Sequence, residues 1–203
     1  MTAVELDDRV VGALRDIAPS ASVTVADALA VDWREELTSI TEPRAIVSNM
    51  PYNITGPLLT KVAECHDLIE SAVLMMQREV AEKIVAQVGD RNRGSISVFL
   101  QLLFVIEPVC KVPPGAFAPP PKVDSMVLKL VPTGREIANE AAVFRTVRAG
   151  FSQPRKTVVN NLSSLLGKGL VKSELVKLGY SETVRPHEIK LLDWITLGGL
   201  IES

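Results

Sequence analysis

Apolar and polar positions change rhythm several times along the chain. Residues 2–5 and 22–26 are short β-branched runs that read as strands, the first ending at Glu5 and the second running into Asp27. Between them Val10, Val11, Leu14 and Ile17 form one apolar stripe, which predicts a helix over 7–18 capped by Asp7 or Asp8. Ala45-Ile46-Val47 centres a strand over 44–48 that ends at Asn49-Met50-Pro51-Tyr52-Asn53. A helix over 56–65, a buried strand over 71–77 and a helix over 78–88 come next. Then come a polar loop over 90–94, a helix over 95–103 and a strand over 104–112. Strand and helix alternating at this interval predict a mostly parallel sheet covered on both faces.

Residues 113–121 carry five prolines and can be neither helix nor central strand, because each proline removes a backbone donor. A strand over 123–131 comes after them, and Pro132-Thr133-Gly134 breaks the chain. Beyond it, residues 139–151, 155–166, 172–178 and 187–201 read as helices separated by Gly and Pro. The expected organisation is an α/β unit over residues 1–131 and a small all-helical unit over 135–203.

The 203 residues are 47% hydrophobic and 23% charged, the balance of a folded chain with a real core. No apolar run approaches the ~18 residues of a membrane span, and the first residues have neither the basic nor the apolar part of a signal peptide. Cys65 and Cys110 form neither a metal spacing nor a disulfide framework, so both read as inert thiols in a reducing cytoplasm. The net charge of −2 argues weakly against a nucleic-acid partner, but its distribution is uneven: residues 1–131 carry more acid than base and residues 132–203 the reverse.

An open parallel sheet binds ligands at the carboxyl ends of its strands, where Glu5, Asp27 and Asn49 fall. The two carboxylates suit ribose hydroxyls and an adenine amine; equally, they could be no more than caps for the next helices. Asn49-Met50-Pro51-Tyr52 is more specific. An exocyclic amine on a purine is a poor nucleophile, because its lone pair is delocalised into the ring. An Asn carbonyl and the carbonyl beside a proline can accept its two N–H bonds and turn the lone pair outward. Pro51 stiffens the turn, and Tyr52 offers a face for stacking a base. Phe117 is the candidate second ring against a flipped base, or else a plain anchor for its loop. Arg145, Arg148, Arg155 and Lys156 gather near the junction of the first two C-terminal helices, with Lys168 and Lys172 beyond. Such a platform suits an RNA backbone, although exposed helix charges often have no partner. His66 and His187 are lone histidines with no catalytic role, and His187, after Pro186 at a helix start, reads as structural.

Asn49-Met50-Pro51-Tyr52 resembles the Asn-Leu-Pro-Tyr motif of the ribosomal RNA adenine dimethyltransferases, and within them the bacterial small-subunit (16S) enzymes linked to kasugamycin sensitivity. Ala3-Val4-Glu5-Leu6-Asp7 is similar to that family's ribose-binding strand end, and Asp27-Ala28-Leu29 to its adenine-binding turn. The segment from Phe117 through Pro119, Pro121, Lys122 and Val123 to Ser125 resembles its Phe-x-Pro-x-Pro-Lys-Val-x-Ser segment. Phe151-Ser152-Gln153-Pro154-Arg155-Lys156-Thr157 is similar to its Phe-x-Gln-Arg-Arg-Lys-Thr helix start. The resemblance runs in order along essentially the whole chain. It implies a Rossmann-like S-adenosylmethionine-dependent methyltransferase sheet with a helical RNA-binding domain. It also implies transfer of two methyl groups to N6 of each of two adjacent adenines near the 3′ end of 16S ribosomal RNA. The implied roles are Asn49, Pro51, Tyr52 and Phe117 for catalysis, and Glu5, Asp27, Ala28 and Asn49 for the cofactor. The implied setting is a cytoplasmic monomer acting on the small ribosomal subunit precursor, with no metal and no membrane.

The chain departs from that family at its start. The family's first strand and its Gly-x-Gly-x-Gly loop, which holds the methionine part of the cofactor, have no counterpart here, and Gly12, Gly56, Gly89 and Gly94 are isolated. The expectation is an N-terminally truncated copy with a gap in its sheet and half of a cofactor site. Two alternatives remain at this point: a non-catalytic rRNA-binding or assembly fragment, and the large-subunit adenine methylase that confers macrolide resistance.

Overall fold

The computed structural model describes residues 1–201. The chain opens with β1 (Thr2–Glu5), α1 (Val11–Ile17), β2 (Ser22–Val25) and α2 (Trp33–Thr38). It continues through β3 (Ala45–Asn49), α3 (Thr55–Glu64), β4 (Ser71–Gln77), α4 (Arg78–Val85), α5 (Ser95–Leu103), β5 (Phe104–Val112) and β6 (Ser125–Pro132). The helices α6 (Glu140–Gly150), α7 (Val158–Leu166), α8 (Lys168–Lys177) and α9 (Asp193–Gly198) close it.

The strands fall into two sheets. β1 and β2 pair in parallel, with Glu5 opposite Val25. The second sheet has the order β3-β4-β6-β5. Only β3–β4 is parallel in it; β6 lies antiparallel to both β4 and β5. The expectation of a mostly parallel sheet is therefore corrected to a mixed one. The proline-rich residues 113–124 hold no helix long enough to serve as a parallel crossover, so β6 returns beside β5 in the opposite sense.

β4 shows why the larger sheet is stable. Its side chains alternate, and Ala72, Leu74 and Met76 are fully buried against Leu128 and Leu130 of β6 and Leu58, Leu59 and Val62 of α3. Each such Leu contributes about 1.5–3 kcal/mol by leaving water. β5 carries a bulge between Pro108 and Cys110, and Cys110 is exposed while Cys65 is buried. β3 is an edge strand, and its Val47 is 79% exposed.

A second core gathers Val143, Val147, Leu162, Leu175, Trp194 and Leu197 from the C-terminal helices. α5 serves both cores. Leu100 and Leu103, three apart, share the face toward the sheet, while Val98 and Leu102, four apart, share the face toward the helices; the two pairs are offset by two residues, which is about half a turn. Trp194 packs so closely on α6 that a Cβ at Gly150 would overlap its ring.

Several expected helices change length: α1 starts only at Val11, after a 3₁₀ turn over Asp8–Val10, and α8 starts at Lys168, four residues before its expected beginning. α4 stops at Val85, where the Gln101 side chain donates to the carbonyls of Ile84 and Ala86. α7 begins only at Val158, because Thr157 is its extended N-cap and accepts from the Asn160 N–H; Arg155 and Lys156 therefore lie in the preceding turn. The expected helix over 187–201 is a 3₁₀ turn at Pro186–Glu188, an extended link and then α9. Buried Ile189 stays extended there, and its carbonyl accepts from Arg93. α2 is an addition to the elements that periodicity predicts; Asp32 caps it by accepting from the N–H groups of Arg34 and Glu35.

Candidate active site

The sheet register brings the acceptor motif together. Asn49 closes β3 opposite Met75, and the Met50 N–H still donates to the Met75 carbonyl at 2.9 Å. Met50 is buried and anchors the turn, leaving Asn49 and Pro51 exposed on either side. The Asn49 side-chain amide makes no hydrogen bond among the described residues. Of the two carbonyls flanking the turn, that of Pro51 is occupied: it accepts from the Ile54 N–H at 3.1 Å and from the buried Thr55 hydroxyl at 3.0 Å. The Met50 carbonyl has no such partner among the described residues. Two acceptors, the Asn49 side-chain oxygen and the Met50 carbonyl, are thus free within two consecutive residues.

Tyr52 begins the 3₁₀ turn that leads into α3. It is half-buried, and its hydroxyl lies 2.7 Å from the hydroxyl of Ser125, which is fully buried. Ser125 opens β6 and pairs with Gln77 at the end of β4. This bond joins a motif near residue 50 to the last residue of the Phe117–Ser125 segment. Phe117 is half-buried at the end of a short 3₁₀ turn, held by its N–H to the Pro114 carbonyl at 3.1 Å. The two rings do not stack on one another among the described residues. Beside the Tyr52–Ser125 pair lies a cleft of about 280 Å³ lined by Gln77, Arg78, Glu82 and Asp124, in which Arg78 is paired with Asp124 at 2.7 Å.

Glu5 closes β1 and Asp27 lies just beyond β2, so both fall at the same end of the parallel β1–β2 pair. Glu5 accepts from the Asp7 N–H at 2.9 Å, and Asp27 accepts from the Leu29 N–H at 2.8 Å. Each carboxylate keeps one oxygen without a partner among the described residues. The Asp27–Leu29 turn is pinned toward the larger sheet. The Trp33 indole N–H donates to the Ala28 carbonyl and the Lys61 ammonium to the Val31 carbonyl, both at 2.8 Å. Lys61 sits on α3, the helix that leaves the Asn49–Tyr52 turn, so one helix supports both halves of the site. Arg34 of α2 reinforces this through a bidentate pair with Asp67 at 2.6 and 2.8 Å, which holds that carboxyl below the usual carboxylate range.

Arg145 and Arg148 are exposed on one face of α6, and Arg155 and Lys156 are exposed in the turn after it. None of the four has an ion-pair partner among the described residues, whereas Lys172 is paired with Glu182. Sequence reasoning missed three supports: Ser125, Thr55 and Asn161. A hydroxyl four residues after the proline was the signal for Thr55. Asn161 announced itself by nothing but its polar character on an apolar helix.

Known proteins resemble this chain in both sequence and fold. The chain is 40% identical over 166 residues to a ribosomal RNA small subunit methyltransferase A from Synechococcus, a match covering 79% of this chain and 60% of that protein. It spans 60–64% of the length of the first curated relatives it matches. Its fold is similar to a dimethyladenosine transferase from Plasmodium falciparum, with a TM-score of 0.80 and 25% identity over 97% of this chain and 79% of that one. It is also similar to the 23S rRNA methyltransferase ErmE, with a TM-score of 0.71 and 26% identity over 100% of this chain and 82% of that one. With the profile of the ribosomal RNA adenine dimethylases matching residues 1–190, the chain belongs to that family.

Proposed function

We propose that this chain carries out rRNA adenine N6,N6-dimethylation, moving methyl groups from S-adenosylmethionine to two adjacent adenines near the 3′ end of 16S ribosomal RNA during ribosome biogenesis. The observation that carries the reading is the pair of free acceptors at Asn49 and Met50 beside the tethered ring of Tyr52. An adenine amine offers two N–H groups. The Asn49 side-chain oxygen and the Met50 carbonyl take one each, which draws the nitrogen lone pair out of the ring and aims it away from them. Pro51 keeps the turn stiff, and Tyr52 and Phe117 hold the base. No side chain here has to titrate: the amine sheds one proton to solvent for each methyl it gains, the monomethylated amine keeps one N–H for an acceptor in the second transfer, and the rate comes from positioning and hydrogen-bond acceptance.

The residues present fit the adenosyl end of the cofactor. Glu5 has a free carboxylate oxygen for ribose hydroxyls, and Asp27, with the adjoining Ala28, has one for an adenine amine. Bound S-adenosylmethionine supplies an electrophilic methyl group on its sulfonium.

Residues 1–131 act as the catalytic unit and residues 135–203 as the RNA-binding unit, gripping phosphates through Arg145, Arg148, Arg155 and Lys156. The partner is the small-subunit precursor in the cytoplasm, met by a monomer. Among the described residues no helix is long and apolar enough to cross a membrane.

The test is incubation with labelled S-adenosylmethionine and small subunits from cells lacking this modification. Label in dimethyladenosine near the 16S 3′ end is expected. Label in large-subunit RNA instead would transfer the reading to the macrolide-resistance activity. RNA binding with no methyl transfer would favour an assembly factor.

A further inference from the structure

The Ser125 side chain is closed to bulk solvent, so its hydroxyl proton needs an acceptor in the interior. Its one side-chain hydrogen bond among the described residues is the 2.7 Å pairing with Tyr52. Both hydroxyls can donate or accept. If Tyr52 donated, the Ser125 proton would be stranded in the interior. With Ser125 as the donor, both groups are satisfied, because Tyr52 is half-buried and its own proton can point to the open side.

We infer that Ser125 is a positioning residue: it donates to the Tyr52 oxygen, fixes the ring, and commits the Tyr52 O–H to an acceptor on the bound purine nucleotide. Tyr52 is then a directed donor as well as a stacking surface. A phenol O–H lies in the plane of its ring. With Ser125 occupying one in-plane position, the proton is restricted to the other. The acceptor it meets is an oxygen or ring nitrogen of the nucleotide at the mouth of the site. The position of Ser125 is rigid for a backbone reason: it pairs with Gln77 on one side and Val112 on the other, so its Cβ direction is set by two strands.

This inference rests on the reading of Tyr52 as the platform for the target base, and the experiment separates the two. The probe is a single-stranded oligoribonucleotide carrying one 2-aminopurine flanked by uridines, whose fluorescence is quenched on stacking. Tyr52→Leu should lose the quenching; if it quenches like the unaltered protein, the base-platform reading falls and this inference with it. Tyr52→Phe should keep the quenching at saturation but bind about fivefold more weakly, the loss of one neutral hydrogen bond. Ser125→Ala should weaken binding by a similar factor in the unaltered background and have no further effect in the Tyr52→Phe background. A purely structural serine would weaken both backgrounds alike, and that result overturns the inference. So does undiminished binding by Tyr52→Phe, a variant that leaves Ser125 in place and does not depend on Ser125→Ala folding well.

Discussion

The Arg93 guanidinium, only 2% exposed, donates to the Ile189 carbonyl at 2.6 Å across the gap between the α4–α5 loop and the last loop of the chain. It also donates to the His187 carbonyl at 3.2 Å, and the Gly89 N–H donates to that same oxygen at 2.9 Å. No carboxylate pairs with it among the described residues, and burial pushes its pKa below the ordinary guanidinium value. One charged donor therefore holds the C-terminal loop against the α/β half. Arg93→Ala should destabilise the chain by about 2 kcal/mol, because the buried Ile189 carbonyl loses its charged donor, while the His187 carbonyl keeps the Gly89 N–H. Arg93→Met refills the volume and should recover part of that loss. Urea melts of the two variants check it; an unchanged midpoint for Arg93→Ala would show that the guanidinium contributes nothing.

The elements that sequence periodicity predicts best are those whose burial has a single rhythm. β4 alternates cleanly between inside and outside, and its bounds match its pattern. Helix ends are less legible, because they are decided by side chains far away in sequence: Gln101 stops α4 and Arg93 keeps Ile189 extended. The antiparallel return of β6 is likewise a tertiary choice, invisible in the spacing of its own residues. At the candidate site, Asn49, Tyr52, Glu5 and Asp27 are readable because each closes a strand or starts a turn. Ser125 ends a recognisable motif, yet its role is hidden in the sequence, since only folding reveals that it meets a residue 73 positions away.

Asn161 fixes the turn that presents the basic pair. Its side-chain amide donates to the carbonyls of Gly150 and, at 3.1 Å, Gln153, and the Lys156 N–H donates to the Gln153 carbonyl at 2.9 Å. Removing charge at Arg155 and Lys156 should weaken RNA binding and flatten its salt dependence, by about 0.7–0.9 in log–log slope for each phosphate no longer gripped. Asn161→Ala leaves the charges in place but frees the turn, so it should weaken binding with a smaller change in slope. Binding titrations over a range of salt separate the two effects. A slope unchanged in the Arg155→Ala, Lys156→Ala double variant would remove this turn from the RNA interface.

Tyr180 gives the chain an alkaline limit. Its hydroxyl donates to the Asp193 carboxylate and accepts from the Lys190 N–H at 2.9 Å. Burial, then the bond to Asp193, pushes its pKa up to about 12. The folded state holds this proton more tightly than the unfolded chain, whose phenol titrates near ~10. The stabilising contribution is therefore complete below pH ~10 and is lost as pH rises through about 12. Absorbance at the phenolate band follows the titration of Tyr180. The step near pH 12 should vanish in Tyr180→Phe, and persistence of that step would assign it elsewhere.

Asn49 is the position where the proposed chemistry is most exposed to failure. Its side chain is on the surface and unpaired among the described residues, so Asn49→Ala removes no bond that holds the fold. Stability should hardly change. RNA binding should also persist, since the basic residues of α6 and the turn beyond it are untouched. Methyl transfer should fall by about 10²–10³, the usual effect of deleting one positioned hydrogen-bonding group at a reacting centre. Asn49→Asp makes a sharper comparison: it keeps an acceptor oxygen in place but adds a charge and removes the N–H₂ donors. If acceptance at that oxygen is what matters, Asp should retain more activity than Ala at equal RNA affinity. Methyl-transfer assays beside filter binding read both quantities on the same preparations. Transfer by Asn49→Ala at the unaltered rate would remove this side chain from the reaction and leave the Met50 carbonyl to act alone.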